Sequence, residues 1–219
     1  MKKLRGVLIV VTLSITAILV CWMLNRKPVA EDSLGWNLLL VNEDYYIPED
    51  YQVTLITLDN GERVDTRIYS ALMEMFEAAE SESVYMFVAD GYRSEKEQQE
   101  LMDEKTKEYQ ERVILPFVAE QLAEKWVAIP GTSEHQLGMA VDINADINRS
   151  SSAEVYNWLA KNAYKYGFIQ RYPSDKTEVT GIRYEPWHYR YVGEEAAKEI
   201  FEKEICLEEY IEEQKAQIR

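Results

Sequence analysis

The chain has only two histidines, and each stands in a dense polar cluster: Ser133-Glu134-His135, with Asp142 seven positions on, and Glu185-Pro186-Trp187-His188. A lone histidine is ordinarily a structural or surface residue. Two imidazoles with a carboxylate close by form a three-ligand set for zinc that leaves a fourth position to water, the arrangement of a catalytic site. One Zn2+ per chain is expected at His135, Asp142 and His188. Glu185 is the candidate general base, taking a proton from water and passing it to the leaving group. Spacing alone leaves a solvated carboxylate as an equal reading. Positions three apart on a regular strand face opposite ways, so Glu185 and His188 converge only if the backbone turns, which Pro186 favours.

Other nucleophilic chemistries fit poorly. Gly131-Thr132-Ser133-Glu134-His135 breaks the G-x-S-x-G elbow at its last position, and neither S-x-x-K nor H-E-x-x-H occurs. That leaves little support for a serine hydrolase built on Ser133, His135 and Asp142. Cys206 sits among Glu202, Glu204, Glu208 and Glu209, surroundings that oppose a thiolate, and reads as a structural residue.

The elements that must position these residues follow from periodicity. Asp65 opens a helical pattern with Ile68, Leu72, Met75 and Phe76 on one face, running to about Glu80. Val84 to Ala89 reads as a strand, and Ser94 with Glu97 as a capping box for a helix from Glu95 to about Tyr109. A helical stretch from Val113 to Trp126, interrupted near Pro116, precedes a loop at Pro130-Gly131. Met139 to Ala145 is a strand, with Asp142 on the face of Ala140 and opposite Val141 and Ile143. A helix from Ala153 to Tyr166, short strands at 168–171 and 189–192, and a charged helix from Glu194 to about Gln214 complete the order. Mixed order rather than strand-helix alternation implies an α+β fold with a small, mainly antiparallel sheet flanked by helices.

Residues Gly6 to Leu24 form an uncharged apolar run with basic residues on both sides. Its length suits a transmembrane helix at the N-terminus, here read as an uncleaved single-pass anchor with the domain extracytoplasmic. Residues 1–27 are expected as tip and anchor, 28–37 as tether, 38–205 as the folded domain and 206–219 as a helical tail. Beyond residue 27 the chain carries 19 basic against 39 acidic residues, a balance of −20. Nucleic acid is a poor partner for such a surface. An internal disulfide between Cys21 and Cys206 is implausible.

The strings Ser133-x-His135-x-x-Gly138-x-Ala140-x-Asp142 and Glu185-Pro186-Trp187-His188-Tyr189, with Asp90-Gly91-Tyr92-Arg93-Ser94 upstream, resemble those of the VanY-type D-alanyl-D-alanine carboxypeptidases. These belong to a wider group of zinc peptidases with a hedgehog-like fold, and the resemblance runs from about residue 38 to 205. It implies removal of the C-terminal D-alanine from peptidoglycan stem peptides. The metal ligands would be His135, Asp142 and His188, the base Glu185, and the substrate carboxylate would meet Arg93, whose planar guanidinium suits the task. Ser133 and Gln98 match further substrate-side positions, and Trp187 would pack beneath the metal or line the pocket. An L,D-carboxypeptidase acting on tetrapeptides and a non-catalytic wall-peptide binding module are the alternatives.

Overall fold

The computed structural model describes residues 34–113 and 115–218, with the backbone of 27–28. The apolar run expected as an anchor, and Cys21 within it, lie outside the described residues. Two strands, β1 (Leu55–Thr57) and β2 (Arg63–Asp65), form an antiparallel hairpin. Helix α1 (Tyr69–Ser81) follows, then strand β3 (Met86–Asp90), α2 (Glu95–Gln110) and α3 (Pro116–Ala123). Next come β4 (Ala140–Ala145), α4 (Ser152–Asn162), β5 (Phe168–Gln170), the single turn α5 (Thr177–Thr180) and β6 (His188–Tyr191). Helices α6 (Glu194–Lys203) and α7 (Leu207–Ile218) close the chain. The main sheet has the order β3-β4-β6-β5 and every pairing in it is antiparallel. This is the α+β architecture that the mixed element order implied.

The sheet divides the molecule. Val88, Val141, Ile143 and Tyr189 point into the main core against Leu72 and Met75 of α1 and Val155, Trp158 and Leu159 of α4. The opposite face carries polar residues. Asp142 pairs directly with His188 across β4 and β6, and cross-strand partners share a face. Beyond Val88 the register of β3 shifts by one residue, so that Asp90 rather than Ala89 stands opposite Asp142. This bulge turns Asp90 to the polar face, where regular alternation would have buried it beside Val88.

Several boundaries differ from expectation, each for a local reason. Asp65 does not open α1: it ends β2, is fully buried, and accepts from the backbone N–H and guanidinium of Arg67. The helix starts at Tyr69. Helix α3 covers only part of the expected stretch because Pro116 sits in its first turn, where the missing N–H costs nothing. The expected long C-terminal helix is two helices, separated at Glu204, which adopts a left-handed conformation with φ 54°. That break lets Ile200 of α6 and Leu207, Tyr210 and Ile211 of α7 enter one core with Ile169 and Val192, so the last helix packs as part of the domain. Cys206 is buried there, and burial pushes its thiol up to about 11, in keeping with a structural residue. The capping box is present as expected: Ser94 Oγ accepts from Glu97 N–H while the Glu97 carboxylate takes the Ser94 N–H.

Candidate active site

His135 lies on a 3-10 turn (Glu134–Leu137) that ends at Gly138, in a left-handed conformation. Its Nδ1 is 2.7 Å from the carbonyl oxygen of Gly91. A carbonyl only accepts, so Nδ1 carries a hydrogen, and Nε2, 3.4 Å from Asp142 Oδ1, is the nitrogen turned toward the cluster. The Gly91 carbonyl can lie this close because the residue has no side chain: a Cβ there would come within 2.3 Å of the Arg63 carbonyl oxygen. His188 places Nδ1 3.0 Å from the same Asp142 oxygen. The two rings meet edge to face, with centroids 4.9 Å apart.

His135, Asp142 and His188 each offer one ligand atom, and these lie within 4.8 Å of one another. Two imidazoles and a carboxylate, borne on a turn and two paired strands, fit zinc by donor type and by spacing. Burial pulls the His188 pKa down, but the neighbouring carboxylates of Asp142 and Glu134 outweigh it and push the group up to about 9. A cation entering the site must displace that proton.

Glu185 reaches the same cleft by the turn its spacing demanded. The N–H of His188 bonds back to the Glu185 carbonyl at 3.4 Å, and Glu185 Oε2 lies 3.9 Å from His188 Nδ1. No protein hydrogen bond fixes the carboxylate to the imidazole at that distance. Burial pushes the Glu185 carboxyl up to about 7, with His188 and Arg93 opposing and Asp142 adding to the rise. A carboxylate so tuned is suited to proton transfer near neutrality.

The cleft has a volume of about 260 Å3, and Arg93, Ser133, Trp187 and Glu185 line it with the three candidate ligands. Arg93 is held by its backbone N–H to the His135 carbonyl, by Asp90 at 3.1 Å and by Gln98 Oε1 at 2.5 Å. Gln98 lines the same cleft from α2. It is fully buried, and its amide also donates to Ala128 O at 2.7 Å. Both ends of the side chain are thus used within the protein, and it buttresses Arg93. Ser133 is buried at the cleft wall, and Trp187 is half-buried beside it.

Sequence reasoning passed over Glu134, Arg171 and Arg190. All three side chains are fully buried, and both arginines bond Glu134 Oε1. Burial alone would raise the Glu134 pKa, but the two guanidiniums hold it well below the usual carboxylate range. Strand periodicity gave no signal for them: Arg190 shares the polar face of β6 with His188, and Arg171 lies just beyond the end of β5.

Comparison with known proteins agrees with this geometry. The family described as VanY, D-alanyl-D-alanine carboxypeptidase, matches residues 61–194. A D-alanyl-D-alanine carboxypeptidase of Enterococcus faecalis is 54% identical over 184 residues, covering 84% of this chain and 69% of the relative. The structure of VanYB in complex with D-alanine-D-alanine has 55% identity and a TM-score of 0.80, covering 81% of this chain and 98% of that one. A single-site variant of the vancomycin-resistance D,D-pentapeptidase VanY, solved with Zn(II), has a TM-score of 0.79 at 55% identity, covering 81% of this chain and 99% of that one. The chain belongs to the VanY family of D-alanyl-D-alanine carboxypeptidases.

Proposed function

We propose that the cleft hydrolyses the terminal peptide bond of peptidoglycan stem peptides ending in D-Ala-D-Ala, releasing D-alanine. The reading rests above all on the convergence of His135, Asp142 and His188 in a cleft that also holds Glu185 and Arg93. The relatives bound to zinc and to D-alanine-D-alanine support it. His135 Nε2, Asp142 Oδ1 and His188 Nδ1 would hold one zinc ion. When bound, that ion supplies Lewis acidity: it makes water more acidic and polarises a carbonyl. Glu185 takes the proton from the attacking water and hands it to the departing amine. Arg93, braced by Asp90 and Gln98, binds the substrate's C-terminal carboxylate and so sets which peptide bond reaches the base. Ser133 and Trp187 shape the wall of the pocket.

Mass spectrometry of products from pentapeptide and tetrapeptide stems tests this. The pentapeptide is expected to lose one alanine in a reaction stopped by chelator and untouched by penicillin. Turnover of the tetrapeptide alone would instead favour an L,D-carboxypeptidase, and retention of peptide without release a binding module. Amidating the pentapeptide's C-terminus is expected to lower kcat/KM by about a hundredfold, the worth of a charge-assisted pair to a guanidinium. Equal rates on the acid and the amide would remove Arg93 from that role.

The same reading puts the domain outside the cytoplasm, at the membrane, on a single-pass anchor. Gly6 to Leu24, uncharged and flanked by Lys2, Lys3, Arg5, Arg26 and Lys27, supports it. Among the described residues no helix is long and apolar enough to cross a membrane, so the span would be that run. Full-length protein is expected in the membrane fraction after a high-salt wash and in the soluble fraction when residues 1–30 are removed. Release of the full chain by salt alone would contradict an anchor.

A further inference from the structure

Glu134 uses its two carboxylate oxygens very differently. Oε1 accepts from Arg171 Nε at 2.8 Å and from Arg190 at 2.9 Å. Oε2 makes no hydrogen bond, and the same is true of His188 Nε2, equally buried and 3.6 Å away. A purely structural ion pair would be expected to spread the two guanidiniums over both oxygens, as Arg171 does with Glu208, donating to Oε1 at 2.6 Å and to Oε2 at 2.8 Å. Here both arginines crowd one oxygen and the other is left facing the imidazole. The arginines are themselves fixed: Arg190 donates to the carbonyls of Asn37 and Leu39, and Arg171 to Glu208 on α7. Glu134 therefore has little freedom to turn away.

Zinc held at His188 Nδ1, the atom that faces Asp142, would leave the ring hydrogen on Nε2, and Glu134 Oε2 is the acceptor that Nε2 faces. We propose that Glu134 is a positioning residue that fixes the tautomer and ring orientation of the zinc ligand His188, with Arg171 and Arg190 holding Glu134 in place and Glu208 tying Arg171 to α7. The inference rests on reading the cleft as a zinc site. It does not require that the substrate be a stem peptide.

Two measurements on the full chain test it. In Glu134→Gln, zinc affinity, read by competition with a chromogenic chelator, is expected to fall 10- to 100-fold. The visible spectrum of the cobalt-substituted protein should change, and kcat should drop with KM for peptide unchanged. A folded variant with zinc affinity within about twofold of wild type and an unaltered cobalt spectrum would overturn the role. Because Glu134→Gln could fail to fold, the second measurement uses the wild-type protein loaded with cadmium-113 and nitrogen-15 histidine. His188 Nδ1 is expected to show coupling to the metal and Nε2 to keep its hydrogen; the reverse assignment overturns the proposal. Neither measurement involves substrate, so metal binding with these signatures but no alanine release would count against the proposed reaction and leave Glu134's role standing.

Discussion

Glu185→Gln is expected to lower kcat on a D-Ala-D-Ala-ended peptide by about a thousandfold, within the range of a lost general base, while zinc content and fold are retained. The side chain makes no hydrogen bond to His188 and is not among the candidate ligands, so the amide leaves the three metal-binding side chains undisturbed. Desolvation dominates the environment of this carboxyl and holds it up at about 7 before any cation is present. A divalent cation beside it favours the charged form and moves that value down. Rate in the wild-type protein should therefore fall as pH drops through a point at or below 7, because the base must be ionised to accept a proton. The Gln variant should lack that limb. Steady-state kinetics alongside metal analysis would decide it, and a loss smaller than tenfold would disqualify Glu185 as the base.

Removing the metal is expected to abolish turnover altogether, and one equivalent of zinc to restore it. In the stripped protein His188 binds a proton between Asp142 and Glu134, so zinc uptake near neutral pH should release acid, measurable with an indicator dye in weak buffer. The metal binds the folded state preferentially, so the Tm should climb with free zinc, the added stability reaching about 4 kcal/mol at a thousand times Kd. Full activity after exhaustive chelation, in a protein shown to hold no metal, would be fatal to the reading.

Chemistry was more legible in the sequence than geometry. With only two histidines, each beside acidic residues, the chain left few ways to compose a metal cluster, and the turn forced by Pro186 was implicit in the spacing of Glu185 and His188. The Ser94–Glu97 capping box was equally local, and its pattern alone marked the start of α2. What escaped depended on contacts distant in sequence. Gln98 does line the cleft, but nothing in the sequence showed that its amide bridges Arg93 and the Ala128 carbonyl. Glu134 and Arg171 lie 37 positions apart, and no short pattern connects them. Asp65 resembled a helix opener because its carboxylate does bind a nearby backbone N–H, yet it does so from the end of a strand. Glu204 carries no glycine-like signal, and the break between α6 and α7 comes from the shared core that both helices fill.

The extra residue in β3 imposes a parity rule on how this protein can change length. Side chains in a strand alternate with a period of two, so the offset at Ala89 is what allows Val88 to serve the hydrophobic interior and Asp90 the catalytic face. Ahead of the offset, single-residue insertions and deletions exchange inside for outside along the whole strand, whereas changes by two preserve it. Past it, the segment from Asp90 to Arg93 keeps its own alignment with Asp142. Variation among relatives in this strand should accordingly come in pairs of residues, or not at all.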